Sequence, residues 1–182
     1  MAVPHIYFDY SATTPLDPRV FTAMQPALTG DFGNPSSLHQ PGRKAREAVN
    51  HARQQVADLL HADSSEIIFT ASGTEADNMA LIGVVEALGG AGRHLITSAF
   101  EHPAILETCR YLEQRGVQVT YLGVTEDGLI EPESLRAALR PNTALVSLMA
   151  ANNVVGTVQP ITELARIAHE RGILFHTDAV QA

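Results

Sequence analysis

Lysine and cysteine are almost missing from this sequence: among 182 residues, Lys44 is the only lysine and Cys109 the only cysteine. A lone cysteine excludes an internal disulfide and fits a reducing compartment, which makes the cytoplasm the expected location. Any mechanism that needs a reactive thiol or a covalently engaged lysine therefore has one candidate of each. Basic runs are missing as well. With 12 Lys and Arg against 20 Asp and Glu the net charge is −8, which argues against a nucleic-acid footprint. No window reaches the roughly 18 uninterrupted apolar residues of a membrane span. The opening residues, Met1-Ala2-Val3-Pro4-His5, lack the charged-then-apolar layout of a secretory signal. Neither the P-loop nor the dinucleotide fingerprint occurs, and no metal site is expected. What remains is a chain of 45% hydrophobic residues, long enough for one sizeable domain or part of a larger one.

The stretch that organises the chain is Ile67-Ile68-Phe69-Thr70-Ala71-Ser72-Gly73-Thr74-Glu75-Ala76-Asp77-Asn78. It opens as a β-branched and aromatic run, breaks into small residues, and continues into the apolar run Met79 to Val85. A strand, a tight turn and a helix start can form a phosphate site, because the first helical N–H groups lack intrahelical partners and the macrodipole favours an anion there. Gly73 would let the backbone approach closely and Thr74 would add a hydroxyl donor. An ordinary strand-to-helix connection, capped by Ser72 or Thr74, fits the same residues.

Taken in order, Ile6 to Tyr10 reads as a short strand or extended segment. Asp17-Pro18 opens a helix to about Leu28. Gly30 to Pro41 is a loop, and Gly42 to Leu60 a long helix with Ala45, Ala48, Val49, Ala52, Val56, Leu59 and Leu60 on one face. Beyond the organising stretch, strands are expected over 94–98, 117–122, 143–150 and 173–177, with helices over 103–115, 132–139 and 161–171. This alternation calls for βαβ crossovers and a mostly parallel sheet with helices on both faces. Ligands of such sheets lie beyond the carboxyl ends of the strands. Thr70 to Thr74, Glu101-His102, Asn152-Asn153, and Asp178 with Gln181 all fall there. Each alone has an ordinary explanation as a cap or turn residue; four converging positions point to a site.

Six motifs carry a family resemblance: Tyr7 to Pro15 (YFDYSATTP), Phe32 to Ser37 (FGNPSS), Phe69 to Asn78 (FTASGTEADN), Glu101-His102, Asn152 to Gly156 (NNVVG) and His176 to Gln181 (HTDAVQ). Through them the sequence resembles the cysteine desulfurases, pyridoxal-phosphate enzymes of the aminotransferase fold type. The resemblance implies an incomplete three-layer α/β large domain over 16–182 and a small-domain segment over 1–15. It implies that Gly73 and Thr74 hold the cofactor phosphate, that His102 stacks on the pyridine ring and moves protons, and that Asp178 bonds the ring nitrogen. Gln181 would contact the ring hydroxyl, Asn153 the cofactor and substrate carboxylate, and Asn34 the substrate from a neighbouring loop. Two departures are small: Ala71-Ser72-Gly73 permutes the usual small residues, and Val154-Val155 replaces a frequent acidic residue and isoleucine.

The family converts L-cysteine to alanine and an enzyme persulfide whose sulfur serves iron–sulfur cluster assembly and thiolation. Its cofactor-binding lysine and nucleophilic cysteine lie downstream of the Asp178 and Gln181 motif. Lys44, near the start of a long helix, does not substitute, and Cys109 reads as a buried structural thiol. The chain is thus expected to carry the cofactor cradle without the catalytic pair, and to work as a homodimer or with a complementing C-terminal fragment. A sulfur-acceptor or scaffold protein would be a further partner. A selenocysteine lyase or other enzyme of the fold type, and a non-catalytic partner-binding remnant, are the alternatives.

Overall fold

The computed structural model describes residues 6–182. Met1 to His5, and with them the first third of the segment expected over 1–15, lie outside the described residues. Packing divides the chain into two units, Met1–Phe69 and Thr70–Ala182.

In the first unit, residues 6–9 form no regular element, and the Tyr7 hydroxyl donates to the Asp9 and Thr13 carbonyls. Helix α1 (Pro18–Thr29) starts as Asp17-Pro18 dictates: the Asp17 carboxylate accepts from the Arg19 amide at 2.7 Å, and proline occupies a first-turn position. Helix α2 spans Gln40–Leu60, two residues more than the sequence pattern indicates. The reason is His39, whose Nδ1 accepts from the Gly42 amide at 3.2 Å and so caps the helix ahead of Pro41. The face expected to be buried is mostly open. Only Gly42, Ala45 and Ala57 of α2 are buried, and no residue of α1 is.

The expected strand at Ile67 to Thr70 is not one. A strand is defined by its ladder, and no described segment pairs with these residues, so they remain extended, with Ile68 66% exposed. Arg53 holds the segment from α2, donating to the Ile67 carbonyl at 3.2 Å and lying 5.3 Å over the Phe69 ring.

The second unit follows the sequence closely. Helix α3 (Gly73–Ala87) leads into β1 (His94–Ser98), α4 (Pro103–Gln114), β2 (Gln118–Leu122), α5 (Pro132–Ala138), β3 (Thr143–Ser147), α6 (Ile161–His169) and β4 (Leu174–His176). The strands form one parallel sheet in the order β2-β1-β3-β4. Leu95 and Leu145 pack with Leu81, Val85, Ile105, Cys109 and Leu112 of α3 and α4. Their neighbours Ile96 and Val146 pack with Leu135, Leu164 and Ile167 of α5 and α6. That strict alternation is the two-residue period of a strand, and it makes three layers with two apolar cores. Each fully buried Leu, Ile or Val contributes roughly 1.5–3 kcal/mol relative to exposure.

The chain leaves β1 toward β2 through α4 on one face, and leaves β3 toward β4 through α6 on the other. Crossovers of one hand that travel in opposite directions must cover opposite faces. The carboxyl ends of β1 and β3, adjacent in the sheet, therefore flank the point where the winding reverses, where open α/β sheets bind ligands.

At the opposite edge His94 is fully enclosed, with Nδ1 2.8 Å from Thr143 Oγ1 and Nε2 2.8 Å from Thr120 Oγ1, so that the start of β1 is tied to the start of β3 and the middle of β2. Burial, helped by Arg140, pushes its pKa down to about 4. The imidazole is neutral when folded and takes up a proton on unfolding below its ordinary value of 6.5. Its contribution to stability is thus complete above pH 6.5 and lost as the pH falls toward 4. Denaturant unfolding of the chain and of His94→Gln should show the wild type losing about 3 kcal/mol more than the variant between pH 7 and 4. Parallel pH profiles would contradict this account of His94.

Candidate functional site

The site is built where α3 begins. Ser72 is the N-cap: its Oγ accepts from the Glu75 amide at 3.2 Å, and the Glu75 carboxylate turns back to accept from the Ala71 amide at 2.7 Å. This reciprocal capping consumes the Glu75 amide and leaves the amides of Gly73 and Thr74, which have no acceptor within the helix. Gly73 is closely approached. A Cβ there would stand 2.8 Å from Val180 Cγ2, so the segment after β4 lies directly against the helix start.

His102 stands opposite. It is the N-cap of α4, and its Nδ1 accepts from the Ala104 amide at 3.1 Å. An Nδ1 that accepts leaves Nε2 as the ring nitrogen that carries a hydrogen. Thr74 and His102 line one cleft of about 550 Å³, together with Asn78, Ala104, Glu107 and Tyr111. Inside the rim, the Thr108 hydroxyl donates to the Asn78 side chain and ties α4 to α3.

Asp178 follows β4, half-buried. Its Oδ1 accepts from the Val180 amide at 3.0 Å and its carbonyl from the Ala150 amide at 2.8 Å. Electrostatically it belongs with Asp77 and Glu101, two buried carboxyls, of which the strand-end pattern had singled out Glu101. Burial first, and the like charge of Asp178 second, raise the Asp77 pKa to about 6, while His102 pulls it down. Burial raises the Glu101 pKa to about 7 against hydrogen bonds from the Met149 amide and the Ser98 hydroxyl, with Asp178 and Asp77 adding to the rise. His176, at the end of β4, places Nε2 3.6 Å from Asp77 Oδ1 and Nδ1 2.9 Å from Ser147 Oγ. Burial lowers the His176 pKa, so this contact is carboxyl to neutral imidazole. Asp77 had a legible signal: it shares the buried stripe of α3 with Leu81 and Val85, at successive four-residue steps.

The two asparagines after β3 separate cleanly. Asn152 is buried and structural: its Nδ2 donates to the Phe100 carbonyl at 2.9 Å, and its Oδ1 accepts from the Val154 and Val155 amides. Asn153 is half-buried, and its side chain makes no hydrogen bond within the described residues. Gln181 lines a different cleft, of about 900 Å³, with Ala150, Ala151, Gln159 and Arg166. Asn34 lies in the first unit, where its Oδ1 accepts from the Ser36 amide at 2.9 Å. The structure therefore brings Gly73, Thr74, His102 and Asp178 around one edge of the sheet, with Asn153 on the loop after β3.

Cys109 is enclosed in the core of α4, and burial, with Glu113 and Glu101, pushes its thiol up to about 12. It is no nucleophile at neutral pH. No group of metal-ligating side chains occurs among the described residues, and no helix is long and apolar enough to cross a membrane. The chemistry on offer is a pair of free helix-start amides for an anion, an imidazole face, a carboxylate for a basic nitrogen, and the Thr177 hydroxyl, buried without a partner.

Comparison with known proteins agrees with this fold. The aminotransferase class-V family model matches residues 6–182. A cysteine desulfurase IscS of Dictyoglomus turgidum is 52% identical over 176 residues, covering 97% of this chain and 45% of the relative. One from Pseudomonas aeruginosa is 53% identical over 180 residues, with the same two shares. Among solved structures, a NifS-like protein superposes with a TM-score of 0.93 at 41% identity, covering 97% of this chain and 49% of that one. A structure described as SspA in complex with cysteine gives 0.91 at 44% identity, covering 97% and 51%. The chain spans about half the length of the proteins it matches.

The asparagines give a sharp test of the local geometry. Asn152→Ala removes the hydrogen bonds to Phe100, Val154 and Val155 and a weaker one to Met149 Sδ, and should cost roughly 2–4 kcal/mol, whereas Asn153→Ala should stay within about 0.5 kcal/mol. Equal costs in denaturant unfolding would show that the loop is not held as described.

Proposed function

The chain belongs to the aminotransferase class-V family, and from that premise we propose that it is the cofactor-cradle portion of a pyridoxal-phosphate-dependent cysteine desulfurase acting on L-cysteine. The observation that carries the reading is the convergence of Thr74, His102 and Asp178 at the carboxyl edge where the winding reverses. The residues fit the group. A dianionic phosphate suits the amides of Gly73 and Thr74 and the Thr74 hydroxyl, with charge-assisted hydrogen bonds among the stronger ones available. His102, its ring orientation fixed by the Ala104 amide, would lie along the face of the pyridine ring and hold or move a proton at Nε2. Asp178 would keep the ring nitrogen protonated and Asn153 would bind the substrate carboxylate side; the roles of Gln181 at the ring hydroxyl and of Asn34 toward the substrate rest on the family resemblance alone, since Gln181 lines the larger cleft and Asn34 lies in the first unit. Bound there, the cofactor supplies an electron sink for bond cleavage next to the substrate's α-carbon.

In this reading residues 1–15 belong to the small domain and 16–182 to the large one. The sulfur goes to an acceptor or scaffold protein for iron–sulfur assembly and thiolation. The enzyme is a cytoplasmic homodimer, a location suggested by the single cysteine. The exposed apolar residues of α1 and α2, including Phe21, Met24, Leu59 and Leu60, suit association.

Neither covalent residue is available within these 182 residues. Lys44 is engaged with Asp31 at 2.5 Å in the first unit, and Cys109 is sealed in the core. The polypeptide by itself should therefore bind pyridoxal phosphate without a covalent bond, show the absorption of the free aldehyde, and release it unreduced after borohydride. Alanine formation from cysteine should not exceed that of free cofactor, and adding a segment that carries a lysine and a thiol should restore turnover. Turnover by the 182 residues alone, or borohydride fixation at the cradle, would contradict the reading.

A further inference from the structure

Resting on that cofactor reading, we propose that Glu101 is a positioning residue: its carboxyl group ties the segment after β1 to the segment after β3, and so sets His102 and Asn153 on the two sides of the crevice. Glu101 immediately precedes the α4 N-cap and is 6% exposed. Its Oε1 accepts two hydrogen bonds, from Ser98 Oγ at 2.9 Å, at the end of β1, and from the Met149 amide at 3.0 Å, two residues beyond β3. Asn152 adds a second rung in the other direction, donating from Nδ2 to the Phe100 carbonyl at 2.9 Å. The two rungs span the gap that opens because the chain leaves β1 and β3 in opposite directions. His102 adjoins one rung on its side of the gap, and Asn153 adjoins the other on the far side.

A carboxyl is a costly choice for this position. Its Oε2 is enclosed without a partner, and an ionised group so placed is disfavoured unless it is paired. The groups in its field, Asp77 and Asp178, are acidic and raise the cost further, and its pKa stands at about 7. An apolar residue of the same size would fill the space without that cost. What only a carboxyl or carboxamide supplies is an acceptor that takes the Ser98 hydroxyl and the Met149 amide on one oxygen. The requirement is for the acceptor, so glutamine should serve and alanine should not.

The test titrates the 182-residue chain and its Glu101→Gln, Glu101→Ala and Ser98→Ala variants with pyridoxal phosphate and, separately, with inorganic phosphate, by calorimetry. Inorganic phosphate reads the α3 amides alone, whereas pyridoxal phosphate also needs His102 and the loop after β3. For pyridoxal phosphate the Kd of Glu101→Gln should stay within about threefold of wild type, Glu101→Ala should weaken about tenfold or more, and Ser98→Ala about two- to fivefold. Inorganic phosphate should bind all four alike. This split, together with rescue by glutamine, separates positioning from a general loss of structure. Wild-type pyridoxal phosphate affinity in Glu101→Ala, or equal losses in the Gln and Ala variants, would overturn the proposal and leave the cofactor reading standing. A wild-type chain that does not bind pyridoxal phosphate would remove that reading and the proposal with it. Should Glu101→Ala fail to fold, wild-type affinity in Ser98→Ala overturns the proposal by itself.

Discussion

A parallel sheet must be covered on both faces and its crossovers must share one hand, and the site depends on that constraint. With α4 on one face and α6 on the other, β1 and β3 lie side by side while their outgoing chains part. The resulting gap cannot be filled by either connection. It receives instead the side chains that follow the strands, Glu101-His102 from one and Met149 to Asn153 from the other, while the start of α3 and the segment after β4 adjoin it through Val180 and Asp178. The polar groups are gathered there by topology, before any chemistry is asked of them.

Gathering them has an electrostatic consequence. Three carboxyls share a partly dry region and cannot all ionise at no cost, so the pKa values of Asp77 and Glu101 are raised, to about 6 and about 7, beside the half-buried Asp178. The two raised acids and the lowered imidazole of His176 reduce the charge carried on the buried side of the crevice. Asp178 is the carboxyl proposed to meet a protonated ring nitrogen. The phosphate is proposed to be met separately, at the helix start, where the Glu75 carboxylate is drawn back onto the Ala71 amide. Capping chemistry thus turns the acidic side chain of the first helical turn away from the proposed phosphate position.

Much of this was legible in the sequence, for identifiable reasons. The β-branched runs over 94–98 and 143–147 are buried on both sides, and so read as strands under any periodicity. Asp17-Pro18 and His102-Pro103 are helix starts that local chemistry decides. The misreadings share one cause. Ile67 to Thr70 has the composition of a strand, and α2 has the pattern of a packed helix, yet both features need partners that composition cannot supply. At the candidate site, strand ends pointed to Thr70 to Thr74, Glu101-His102, Asn152-Asn153, and Asp178 with Gln181; the structure gathers Gly73, Thr74, His102 and Asp178 at one edge and leaves Gln181 in another cleft. The roles of Glu101, Asp77 and Asn152 were hidden, because each depends on a contact with a segment distant in sequence: Met149, His176 and Phe100 respectively.

The central claim is that the carboxyl edge of the second unit is a single site for pyridoxal phosphate. Amide and imidazole NMR shifts of the isotopically labelled chain, followed through a titration with that cofactor, test it most directly. The account predicts that one saturating process moves the Gly73 and Thr74 amides and the His102 ring together, with the Val180 amide following. Shifts confined to the cleft around Ala151 and Arg166, or phosphate-end and ring-end residues that saturate at different concentrations, would contradict it.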